Sequence, residues 1–129
     1  MLDKYKEEIK KDLIIDDFNI KDVQLKLPSR KHFWAARLID ARIAQKQLIS
    51  KKIRLKELLT SKVAEESPVS LSPGGIDKLV SNRAEIHKIN DKIEEYDMII
   101  LYLEKVEKIF SSMHWEIKNI IDLNKLEQL

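Results

Sequence analysis

Both glycines and two of the three prolines of this 129-residue chain stand together in "SPVSLSPGG" (67–75), and neither residue type recurs in 29–66 or 76–129. Glycine and proline are the strongest local interrupters of helices and strands. A β-rich fold needs turn residues at short intervals, so a chain that gathers them at one point is constrained to long helices on either side. The expected fold is all-α: an N-terminal helix and arm (1–28), a basic helix (29–63), a loop (64–75) and a long apolar helix or helices (76–129) in a single domain.

The first long segment, "PSRKHFWAARLIDARIAQKQLISKKIRLKELLTSKV", begins at Pro28 with Ser29 as N-cap and runs to about Val63. The second starts near Asp77. At 1.5 Å per residue they extend roughly 50 Å and roughly 50 to 65 Å, which describes an elongated helical hairpin. Along the second, Leu79, Ile86, Ile89, Ile93, Tyr96, Ile100, Leu103, Phe110 and Ile117 recur in steps that follow a heptad seam, broken at Asn82, Glu107 and His114. Met98, Ile99, Leu101, Tyr102, Val106, Ile109 and Met113 lie outside that seam, more apolar surface than one partner helix covers. The excess is expected to be buried between subunits, with Tyr96, Ile100, Leu103, Phe110, Trp115 and Ile117 as the oligomerisation residues.

Ahead of the first long segment, "LDKYKEEIKKDL" reads as a short amphipathic helix with Leu2, Tyr5, Ile9 and Leu13 on one side. "DVQLKLP" (22–28) alternates Val23, Leu25 and Leu27 and ends in proline, a pattern expected to form an extended arm or edge strand.

A net charge of +2 conceals a strong asymmetry. Residues 30–62 hold ten bases against two acids, and the remainder fourteen bases against twenty acids. Within "SKKIRLKELL" (50–59), Lys52 and Lys56 stand at i, i+4, where like charges repel. Something outside the helix must offset that repulsion. A polyanion does so, since each cation that meets a phosphate releases condensed counterions; acidic helices of neighbouring copies are the competing explanation. Candidate DNA contacts are Arg42, Lys46, Lys51, Lys52, Arg54 and Lys56. Arg30, Lys31, His32, Phe33 and Trp34 place rings beside bases, as single-strand stacking requires. Trp34 shares a helical face with Leu38 and Ala41, so its expected role is packing.

Catalytic chemistry finds no foothold in these residues. There is no cysteine, the three histidines (His32, His87, His114) are dispersed, and "SPGGID" lacks the GK[ST] ending of a phosphate loop. No enzyme activity, metal or cofactor is expected. The longest apolar run, "MIILYL" (98–103), is far short of a membrane span and the N-terminus carries no signal-peptide core, so no membrane partner and a cytoplasmic setting are expected.

The order of several motifs resembles the UvsY-type recombination mediators of T-even-like phages. These are "EEIKKDLIID" (7–16), Trp34 just inside the first long helix, "KKIRLK" (51–56), the mid-chain glycine loop and the closing "HWEIKNIIDLNKL" (114–126). The resemblance implies a non-enzymatic, ring-like homo-oligomer of six or seven subunits, assembled through its C-terminal part. It further implies single-stranded DNA binding and contact with a recombinase, loaded in place of a single-strand-binding protein in the host cytoplasm. The family's DNA-binding motif is Lys-Lys-apolar-x-Leu-Lys with Arg two positions later. Lys51, Lys52 and Lys56 match it, whereas Leu58 stands where the arginine belongs; Arg54, one turn upstream, is the candidate replacement. Two other readings stay open: a structural coiled-coil adaptor without nucleic-acid binding, and a double-strand binder, against which the lack of a short helix-turn-helix argues.

Overall fold

The computed structural model describes residues 1–16, 19–67 and 70–128. They form α1 (Leu2–Asp12), α2 (Ile20–Glu66), α3 (Pro73–Ser81) and α4 (Ala84–Glu127), with no strand among the described residues. The all-α expectation holds. The helices make two compact units, Met1–Asp40 with Ile99–Leu129 and Ala41–Met98, so α2 and α4 each contribute to both.

The extended arm expected at 22–28 is instead helical, because α2 begins at Ile20 and carries Pro28 inside it. Read with a period of two, Val23, Leu25 and Leu27 share a face; at helical spacing only Val23 and Leu27 do. The helix wins: both are buried, while Leu25 is 72% exposed. Just ahead of the helix stands a reciprocal pair in which Asp16 Oδ1 accepts from the Asn19 amide at 2.8 Å and Asn19 Oδ1 accepts from the Asp16 amide at 2.7 Å. Pro28 removes the hydrogen bond to the Gln24 carbonyl, a loss opposed by burial of Val23 and Leu27 on the preceding turns.

In the first unit α1 lies on α2. Ile9 is buried, and the Tyr5 and Trp34 rings meet edge to face at 5.9 Å. Trp34 Nε1 donates to Asp12 Oδ2 at 2.9 Å, Arg30 Nη1 donates to the Asp12 carbonyl at 3.2 Å, and Arg37 pairs with Glu8. The Arg37 guanidinium also rests 4.4 Å from the centre of the Phe33 ring and 4.9 Å from those of Tyr5 and Trp34.

In the second unit the core cluster joins Leu59 and Val63 of α2 to Val80 of α3 and Ile86 of α4, with Leu55, Leu71 and Ile76 against it. Ser72 caps α3, its Oγ accepting from the Gly75 amide at 3.1 Å, and Pro73 fills the first helical turn. Of the helix or helices expected from residue 76 there are two, and the first starts at Pro73, within the expected loop. Asn82, a polar break in the seam, ends α3, and the Arg83 carbonyl accepts from the Ile86 and His87 amides to start α4.

Along α4 the buried positions are Ile86, Ile89, Ile99, Leu103, Val106, Phe110, Met113 and Ile117, with Tyr96 and Ile100 half-buried. An unbroken heptad runs from Tyr96 to Ile100 and places Glu107 and His114 inward. The observed seam steps three residues from Tyr96 to Ile99, and this slip brings Val106 and Met113 inward in their place. Ile99, Val106 and Met113, expected as surplus surface, therefore belong to the core.

Candidate nucleic-acid interface

Residues 41–63 of α2 present their seam face, Ala41, Gln45, Leu48, Lys52, Leu55, Leu59 and Val63, toward the rest of the second unit. Gln45 Nε2 anchors this face, donating to the Ile93 carbonyl at 3.1 Å and to Asp97 Oδ1. Because α2 is continuous, fixing that face fixes where every other side chain of the segment projects.

The cations fall into three sectors. Lys51, Arg54 and Lys62 recur at helical spacing with Leu58 among them, and all four are exposed. Arg42 and Lys46, together with the exposed Ile49 and Ile53, form a second strip on the other flank of the seam. Lys52 lies within the seam face and Lys56 on its flank, and both are half-buried. Lys56 Nζ stands 3.6 Å from Asp77 Oδ1 of α3, an ion pair open enough to solvent to be weak.

Pairing trims the basic segment at its N-terminal end. Arg30 and Arg37 are occupied by Asp12 and Glu8 of α1, so two of the ten bases face carboxylates of their own chain. Charge counting does not show this. Lys62 is an exposed cation beyond the six expected to touch DNA, and Ile43, Ile49, Ile53 and Leu58 are exposed on the same basic helix. Leu58 is 70% exposed, one turn along the same strip from Arg54.

Of the aromatic rings near the bases, Trp34 is 2% exposed and belongs to the core, as its spacing predicted, while Phe33 and His32 reach solvent. Of the residues expected to join subunits, Leu103, Phe110 and Ile117 are buried within the chain itself and have no surface to offer, Tyr96 and Ile100 are half-buried, and Trp115 is 60% exposed. The large apolar side chains that α4 leaves in solvent are Met98, Leu101, Ile109, Trp115, Leu123 and Leu126. No group of three or more His, Cys, Asp or Glu able to hold a metal occurs among the described residues, and no helix is long and apolar enough to cross a membrane.

A family model described as "Recombination, repair and ssDNA binding protein UvsY" matches residues 8–128. Two crystal structures of the bacteriophage T4 recombination mediator protein UvsY superpose on the chain at 14% identity. One, of lattice type IV, gives a TM-score of 0.84 over 98% of each chain; the other, of lattice type II, gives 0.82 over 100% of this chain and 98% of that one. At that identity they establish a shared fold. No curated protein matches the sequence.

Proposed function

Since the chain belongs to the UvsY family of recombination, repair and single-stranded-DNA-binding proteins, we propose that it is a recombination mediator that holds single strands on the exposed cations of α2 and loads a recombinase in place of single-strand-binding protein. Lys51 and Arg54 on one flank and Arg42 and Lys46 on the other make the phosphate contacts, and the half-buried Lys52 reaches them from the seam face. Lys56 joins them when it exchanges Asp77 for a phosphate. The observation that carries this reading is the concentration of bases between Arg42 and Lys56, six with no acid among them, on a helix whose seam face Gln45 anchors.

A single such helix binds weakly. A ring-like assembly of six or seven copies presents the same cations repeatedly to one strand, so that the second and later contacts form at high effective concentration. Exposed apolar side chains of α4, Leu101, Ile109 and Trp115 among them, are the surfaces through which copies meet. Binding is then cooperative, salt-sensitive and nearly indifferent to base sequence.

The test is a fluorescence titration of oligothymidylate across a range of salt concentrations. Replacing Lys51, Lys52 and Arg54 together by Ala should flatten the slope of log K against log salt by about 0.7 for each phosphate that no longer meets a cation. An unchanged slope removes these residues from the interface. The adaptor reading predicts no binding by the unaltered protein even at low salt.

A further inference from the structure

We propose that a groove between the first turns of α2 and the last turns of α4 is a docking site for a partner protein's acidic segment that carries a large apolar side chain. The groove has a volume of about 550 Å³, room for two or three side chains. Its apolar lining comes from Leu27 and Pro28 of α2 and Ile117 and Ile121 of α4. Leu27 and Ile117 are themselves buried, so that part of the floor is held by core packing.

Around this aliphatic floor stand Lys31, Lys118 and Lys125, against one lining carboxylate, Asp122, among the described residues. Lys118 and Lys125 are two turns apart on one side of α4, roughly 10 Å along the axis, the reach of about three residues of extended peptide. Charge complementarity therefore selects an occupant with acidic residues on either side of an apolar one. A nucleobase is less well served, because strand-binding sites stack bases on phenyl or indole rings and none lines this groove; the imidazole of His114 is its one aromatic ring among the described residues. Of the α2 cations assigned to phosphate contacts, none lines it either, so the proposal does not rest on strand binding.

Fluorescence anisotropy of a short fluorescein-labelled peptide, in which Glu and Asp flank a Leu-Phe pair, tests the assignment on the full chain. A matched peptide with Ser-Ser in place of Leu-Phe separates groove binding from bare charge attraction. The Leu-Phe peptide should bind at least tenfold more tightly. Asp122→Asn, which removes the opposing carboxylate, should tighten it several-fold, a gain that misfolding does not produce. Reversing Lys118 and Lys125 to Glu together should weaken it at least tenfold with the circular dichroism spectrum unchanged. The Lys51, Lys52 and Arg54 triple variant should keep the unaltered peptide affinity, whatever its affinity for DNA. Equal binding of the two peptides, indifference to the Asp122 and Lys118/Lys125 substitutions, or loss of peptide binding in the α2 variant overturns the proposal.

Discussion

Asp12 governs what the first bases of α2 are able to do. Its carboxylate accepts from Trp34 and lies 3.5 Å from Arg30 Nε, so one side chain both orients the buried indole of the first unit and neutralises a cation. Asp12→Ala leaves the indole N–H without its acceptor and the guanidinium without its counter-ion, and should cost roughly 1 to 2 kcal/mol in urea unfolding. Burial also raises the Tyr102 hydroxyl above its ordinary 10.0. The folded state thus prefers the neutral phenol, and the stability this provides is complete below pH 10.0 and is lost as pH rises through the elevated value. Tyr102→Phe should flatten the fall in stability as pH rises past 10.0, read by urea midpoints along the pH series. At this scale the sequence was partly legible. Trp34 announced itself as core through its spacing from Leu38 and Ala41, whereas the pairing of Arg30 and Arg37 was invisible, because Asp12 and Glu8 lie 18 and 29 residues earlier and nothing local ties them together.

Each helix end follows from a few residues. Ser72 satisfies an amide of α3's first turn that has no partner within the helix, and Ser72→Ala should destabilise the protein by about 1 kcal/mol in thermal or urea unfolding. The loop and the two long segments were legible because glycine and proline act locally. The start of α2 was not: apolar residues at 23, 25 and 27 satisfy both a strand and a helix, and the burial of Val23 and Leu27 with Leu25 exposed decides between them. The slip in α4 was half legible. Glu107 and His114 marked a fault in the heptad, but locating its origin at the step from Tyr96 to Ile99 requires knowing which side faces the partner helix.

For the molecule as a whole, membership of the family and the shared fold were readable in the order of weak motifs, each too short to signify alone. The oligomerisation surface was less so, since a sequence shows that α4 has excess apolar residues but not which of them the chain consumes itself. Leu103, Phe110 and Ile117 are consumed. Replacing exposed Leu101 and Trp115 by Glu should therefore lower the mass seen by sedimentation and abolish cooperative strand binding, with helix content retained. The Lys56 and Asp77 pair adds a further effect. On the proposed mode of binding, a phosphate that takes Lys56 would release Asp77 and leave α3 with one restraint fewer, so adding oligothymidylate should register as faster deuterium uptake in the amides of α3.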